Sequence, residues 1–182
     1  YIAFIAGLPE IDWDDRKLSL TVAEFREQLK DYISGRDERL IDLFFLPNDN
    51  AQVLRLLRKQ EPDGALSTVY PVKLLEDETQ EPDKTIPAYL REFIADFKEE
   101  HLRYDVSPEN VLSWMYYDYM MKADNQLVKR YAEFSMNLKN LVTALNARKY
   151  GMEVAKEVGI SQAQVSRLEK NALKVMRQYL ES

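Results

Sequence analysis

Residues 113–151 read SWMYYDYMMKADNQLVKRYAEFSMNLKNLVTALNARKYG, a stretch with no proline and with its one glycine, Gly151, at the very end. Proline is the residue that most reliably breaks a helix interior, so its absence permits long helices here. The apolar positions are numerous enough for two packed helices, the second beginning near Asp124. Beyond Pro108 the only glycines are Gly151 and Gly159, which are the natural places for the chain to turn. This region sets the expected class: mainly α, a helical bundle.

Upstream, Thr21 followed by Glu24 has the form of a capping box, and Val22, Phe25, Leu29, Tyr32 and Ile33 recur at helical spacing as far as Gly35. Asp37 can cap a second helix through RLIDLFFL, which Pro47 should stop; Asn50 can cap a third, AQVLRLLRKQ, ending before Pro62. Residues 61–87 hold four of the seven prolines and the acidic cluster Glu76, Asp77, Glu78, Glu81 and Asp83, so an exposed, mobile connection with little regular structure is expected. Pro87 and Pro108 each sit where a first-turn proline is tolerated, the second after a capping Ser107. Between them Leu90, Phe93, Ile94 and Phe97 make one amphipathic face. The opening run from Tyr1 to Ile11, broken by Gly7 and Pro9, fits a buried strand or a short core segment, which periodicity alone does not separate, and a short strand is the preferred reading.

The chain has 182 residues, 46% of them hydrophobic, enough for one medium domain with a real core or for such a domain and a small appendage. No apolar run approaches a membrane span, and the opening segment lacks the basic flank and cleavage site of a signal peptide, so a cytoplasmic protein without membrane insertion is expected. With no cysteine, disulfides, thiolate metal sites and thiol nucleophiles are excluded together. The net charge of −6 is unevenly spread: residues 148–182 hold seven Lys or Arg against four Glu, a local +3 that leaves −9 for the rest. Phosphate would be repelled by the body and attracted by the tail. The expected division is a helical body over 1–150, carrying the 61–87 loop, and a tail over 151–182.

The tail has the parts of a helix-turn-helix. Ala155 is the small residue at the helix crossing and Gly159 the turn, Ile160, Val165 and Leu168 lock the pair, and Ser161 caps the second helix. Gln162, Gln164, Ser166 and Arg167 then lie near the start of that helix, where side chains reach base edges, and Lys156 and Lys170 are placed to meet phosphate. Two amphipathic helices joined by Gly-Ile-Ser are common, and on spacing alone most such pairs are core elements that never touch DNA.

Met152–Leu180, MEVAKEVGISQAQVSRLEKNALKVMRQYL, resembles the last part of region 4 of sporulation-type bacterial RNA polymerase sigma factors. That resemblance implies that the second helix enters the major groove of a promoter element, with promoter DNA or RNA polymerase as partner. YIAFIAGLPEI, RDERLIDLFFLPNDNAQVLRLL and NLKNLVTALNARKYG resemble instead an uncharacterised bacterial family encoded with V-type ATPase subunits, the last stretch also being similar to a helix motif of the C-type stalk protein of those ATPases. This second resemblance, over roughly residues 1–155, implies a non-catalytic stalk-type subunit whose partners are V-type ATPase rotor or stalk subunits, cytoplasmic and peripheral to a membrane complex. The two meet at GMEVAK, which suggests a chimera.

In NLKNLVTALNARKYG, Leu138, Leu141, Val142 and Leu145 form one apolar face, while Asn137, Lys139, Asn140, Asn146 and Arg148 offer polar groups to a crossing helix or a partner. The alternative is an ordinary core helix with a solvated back. Trp114, Tyr116, Tyr117, Tyr119, Met120 and Met121 cover more than one helix face, so some should be buried and the others open to a partner.

Signs of enzymatic chemistry are weak. His101 is the one histidine and reads as a surface residue, and five scattered glycines make no phosphate loop. Asp12, Asp14, Asp15 and Asp49 lack calcium-loop spacing and are explained by capping and solvation. The pair Glu99 and Glu100 carries no weight among 31 acidic residues. No catalytic residues, metal site or cofactor are therefore expected. Two functions stay open: the stalk-type interaction subunit, and a DNA-binding module working through the tail.

Overall fold

The computed structural model describes residues 2–10, 19–81, 85–102 and 106–149. These form seven helices: α1 (Ile2–Ala6), α2 (Val22–Lys30), α3 (Gly35–Leu57), α4 (Val72–Gln80), α5 (Ala88–Lys98), α6 (Pro108–Met121) and α7 (Gln126–Lys149). The protein is mainly helical, and no strand occurs among the described residues. The expected helix-turn-helix lies outside them.

Local sequence explains most helix starts. Thr21 and Glu24 close the capping box of α2, the Glu24 N–H donating to the Thr21 hydroxyl at 3.2 Å and the Thr21 N–H to the Glu24 carboxylate at 2.8 Å. Ser107 caps α6 with Pro108 in its first turn, and the Asn125 side chain accepts from the Val128 N–H at 3.1 Å to start α7. Two helix ends are sharper than their sequences suggest. Lys59 and Glu100, after α3 and α5, adopt left-handed φ of 56° and 57°. Each lets the next N–H turn back into the helix, Gln60 to the Arg55 carbonyl and His101 to the Asp96 carbonyl.

Where the opening run is described, Ile2–Ala6 is a helix and no strand occurs, against the preferred expectation. With no neighbouring strand among the described residues, an extended segment would leave its amides without partners. The helical turn instead pairs them internally, and the Gly7 and Leu8 N–H groups donate to the Phe4 and Ile5 carbonyls. Phe4 lies against Phe25 and Tyr32 of the α2 region, ring centroids 5.8 and 5.0 Å away.

The two helices expected on either side of Pro47 are one. Helix α3 runs through that proline for 23 residues, capped by Ser34 and not by Asp37, whose N–H donates to the Ser34 hydroxyl. Pro47 has no N–H to give the carbonyl four residues back, and that carbonyl, Leu43, accepts the Tyr116 hydroxyl of α6 at 2.9 Å. A tertiary hydrogen bond thus occupies the position the proline leaves open.

Just past the proline, α3 carries a row of polar residues that fastens the following connection. Asn48 donates to the Ser67 carbonyl, Asp49 accepts the Val69 and Tyr70 N–H groups, each at 2.9 Å, and Gln52 accepts the Asp63 N–H. Arg26 of α2 adds a bond to the Thr68 carbonyl, an ion pair with Asp42 at 2.6 Å and a stacking contact 4.7 Å from the centre of the Phe45 ring. The first part of the 61–87 connection is therefore pinned down. Its middle is α4, which buries Leu75, Glu78 and Thr79. The expectation of little regular structure holds for residues 61–71 and fails at α4; what composition does not reveal is that the Asp63, Val69 and Tyr70 amides are answered by α3 side chains. Asp49, in particular, is fully buried, neither a helix cap nor solvated.

The core lies where α3, α5 and α6 meet, around Leu46, Val53, Leu90, Phe93, Leu112 and Met120, and α7 joins it through Val128 and Ala132. Tyr89 of α5 donates to the Asn50 side chain at 2.8 Å and its ring approaches those of Tyr116 and Tyr119. This aromatic layer sets the angle of α6 against α3 and so the platform for α7.

Burial pushes the Asp49 carboxyl up to about 6, against the opposing pull of the hydrogen bonds from Val69 and Tyr70. The folded state thus holds this proton more tightly than the unfolded chain, whose ordinary value is 3.8. Stability from this group is full below that value and is lost as pH rises through about 6, a change of about 3 kcal/mol. Urea unfolding from pH 4 to pH 7 should show Asp49→Asn lacking this fall; parallel profiles for the two proteins would contradict the assignment.

Candidate interaction surface

Helices α6 and α7 run side by side, and the seam between them brings polar, basic, aromatic and apolar side chains together. Asn110, Ser113, Trp114 and Tyr117 lie at i, i+3, i+4 and i+7 of α6, one face of a helix. Opposite them Met136, Lys139, Asn140 and Thr143 have the same spacing on α7. Between the two rows is a cleft of about 30 Å³, room for little more than a water-sized group and far below the few hundred Å³ of a small-molecule site.

At its rim Trp114 is 61% exposed, while Tyr116 and Met120 of the same helix are buried. The α6 aromatics therefore divide, Tyr116 into the core and Trp114 toward solvent, with Tyr117 at the boundary. Lys139 sits half-buried at the cleft, where burial holds its ammonium below the usual lysine range and the Glu109 charge partly offsets this. Glu109 itself is tied by Arg58 at 2.6 Å, which keeps its carboxyl below the usual range and joins the end of α3 to α6. A lysine stripped of part of its water beside an exposed tryptophan suits a partner that brings an acceptor and an apolar side chain together.

The residues singled out from sequence are distributed unevenly. Lys139 and Asn140 line the cleft, and Asn137 is half-buried on the same helix. Arg148 falls in the last turn of α7, and its side chain lies outside the described residues, as do Lys156, Ser161, Gln162, Gln164, Ser166, Arg167 and Lys170. Asp12, Asp14 and Asp15 lie outside them too. His101 is exposed, its Nδ1 3.1 Å from the Glu99 carboxylate. Among the described residues no group of three or more His, Asp or Glu is placed to hold a metal ion. No helix there is long and apolar enough to cross a membrane.

The apolar face of α7 points the unexpected way. Leu138, Val142 and Leu145 are exposed, and the polar Lys139 and Asn140 turn toward α6. The picture of a core helix with a solvated polar back therefore fails for these residues, although Leu141 is half-buried and Asn146 exposed. Asn110 and Ser113 were not marked by the sequence, and their helical register with Trp114 is the one signal that would have found them.

Comparison with known proteins places this surface in context. The sequence model of a family described as a protein of unknown function, DUF2764, matches residues 1–176. As one range it crosses the GMEVAK junction, so body and most of the tail fall within a single family match. An RNA polymerase sigma-G factor of Clostridium acetobutylicum is 76% identical over 29 residues, 16% of this chain and 11% of that protein. No solved structure matches.

If Trp114 belongs to the surface and not to the core, Trp114→Ala should change the unfolding free energy by less than about 0.5 kcal/mol. Leu112→Ala, two residues away and 1% exposed, should cost about 2–5 kcal/mol. Denaturant titration of both variants distinguishes the roles, and a Trp114 variant as damaged as the Leu112 one would refute this division.

Proposed function

This chain belongs to the DUF2764 family, and we propose that it works as a non-catalytic interaction subunit whose docking surface is the α6–α7 seam. The observation that carries the reading is the exposed Trp114 beside the half-buried Lys139 and Asn140. Tryptophan is among the residues enriched at the energetic centre of protein–protein contacts, and the cleft beside it has room for a water-sized polar group of a partner. The resemblance of the body to proteins encoded with V-type ATPase subunits supplies the partner class: rotor or stalk subunits, with the chain peripheral to the membrane complex.

Co-purification of the intact chain with rotor and stalk subunits tests this. Trp114→Ala together with Lys139→Glu should abolish association while leaving the circular dichroism unchanged. Association that survives both substitutions would move the docking surface elsewhere, and no association of the unaltered chain would end the reading.

A second reading rests on the 76% identity to a sigma-G segment: the tail binds promoter DNA through Gln162, Gln164, Ser166 and Arg167, with Lys156 and Lys170 on phosphate. Duplex binding by the intact chain should then weaken steeply with salt. Arg167→Ala should cost roughly 1–3 kcal/mol if it pairs with a guanine. No binding to a promoter-like duplex at low salt would remove this reading.

A further inference from the structure

Between α1 and α2 lies a recess of about 300 Å³, at the lower end of the range for small-molecule sites. Phe4, Gly7 and Leu8 line it from α1 and the turn that follows, and Gln28, Asp31 and Tyr32 from the carboxyl-terminal end of α2. Phe4 joins the two helices: it is buried, its ring centroid 5.8 Å from that of Phe25 and 5.0 Å from that of Tyr32. Tyr32 is nevertheless 47% exposed, so part of its ring stays open beside the recess. None of these residues belongs to the α6–α7 seam, and what binds here is independent of the partner proposed there.

The charge of the recess has one sign. Among the described residues no Lys or Arg lines it, and the Asp31 carboxylate has neither an ion pair nor a hydrogen bond there. The adjacent lysine, Lys30, is taken up by Glu27 at 2.8 Å. Asp31 is also the C-cap of α2, where the negative end of the helix dipole adds to its own charge. Gln28 stands three residues earlier on the same helix face, and its side-chain oxygen is a further acceptor. An anion would be repelled here, and a neutral ligand would leave the carboxylate unanswered.

We propose that this recess binds a guanidinium group, which pairs with the Asp31 carboxylate, donates to the Gln28 side-chain oxygen and lies against the Tyr32 ring. A guanidinium is flat, weakly hydrated and rich in donors, so it can meet a carboxylate with two parallel hydrogen bonds while stacking on an aromatic face. A compact, strongly hydrated ammonium uses the ring and the second acceptor less well. The same head group is carried by a small free guanidine compound and by an arginine side chain of a peptide, and the recess reads the head group in either.

Titration of the full chain with methylguanidinium at low ionic strength, followed by proton–nitrogen NMR, tests this. The backbone amides of Gly7, Leu8, Asp31 and Tyr32 should shift and saturate, while the Trp114 indole stays in place. Methylurea, which has the same shape without the charge, should move none of them. Asp31→Asn and Tyr32→Leu should each weaken binding about fivefold or more. Glu92→Gln, which removes an equal charge from an exposed site on α5, should leave it within about twofold. Acetyl-Ala-Arg-Ala-amide binding at least about tenfold tighter than methylguanidinium would identify a peptide arginine as the source of the group, and equal binding a free small ligand; both support the site. No shift at the recess amides up to tens of millimolar overturns the proposal. So do equal responses to methylurea, and so does equal weakening by Asp31→Asn and Glu92→Gln, which would mean unspecific attraction of a cation to an acidic body.

Discussion

The carbonyl of Leu43 stands four residues before Pro47, where a helix would ordinarily supply an N–H and a proline cannot. Tyr116 supplies a hydroxyl instead, from a helix 73 positions along the chain. A fully buried carbonyl without a partner costs about 1–3 kcal/mol and the half-buried Leu43 one somewhat less, and a proline in a helix interior costs about 3 kcal/mol. The bond removes the first of these costs, and the packing of α6 against α3 helps offset the second. Continuity of α3 and the docking of α6 are thereby one event. The phenol is buried deeply enough that its ionisation is pushed well above the usual tyrosine range, so it remains a donor at any pH the protein will meet.

Much of the remaining architecture follows from α3 being unbroken. Only as part of a continuous helix do Asn48, Asp49 and Gln52 come into register with the connection that returns over them, and only then does Asn50 meet Tyr89. That connection would otherwise leave the Asp63, Val69 and Tyr70 amides to solvent. Held in place, it delivers α4 and α5 to the core, and α5 together with α3 fixes α6. The seam with α7, where Trp114 and Lys139 come together, is the last layer of the same assembly. The surface argued to be functional is thus displayed by rigid helices, which suits a docking role better than one that needs a moving lid.

Much of this was legible from local sequence, and the failures share a cause. The helical class, the capping box at Thr21, the Ser107–Pro108 start and the apolar face of α5 depend on residues within one or two turns of each other, and they stand where the pattern put them. Pro47 reads as a helix stop because its rescue comes from Tyr116, far away in sequence. Residues 61–71 are irregular as their composition says, but α4 and the bonding of the Asp63, Val69 and Tyr70 amides to α3 depend on contacts that composition does not show. The strand expected at the amino-terminal end was undone by the lack of any strand beside it, something no local run of apolar residues reveals. In α7 the periodicity was real but its sense was not recoverable: an apolar stripe announces that something will cover it, without saying whether that is the body, the rest of the chain or another molecule. Trp114 and Lys139 were readable as residues, but their meeting depends on the α6–α7 register.

The central claim is that Tyr116 stands in for the N–H that Pro47 lacks, and a double-mutant cycle measures it directly. Tyr116→Phe should lower the unfolding free energy by about 1–2 kcal/mol by orphaning the half-buried Leu43 carbonyl. In a Pro47→Ala background, where residue 47 regains an N–H for that carbonyl, the same substitution should cost well under half as much, giving a coupling of about 1 kcal/mol or more. Equal losses in the two backgrounds would show that the hydroxyl and the proline are energetically unconnected, and the account of α3 would then be wrong.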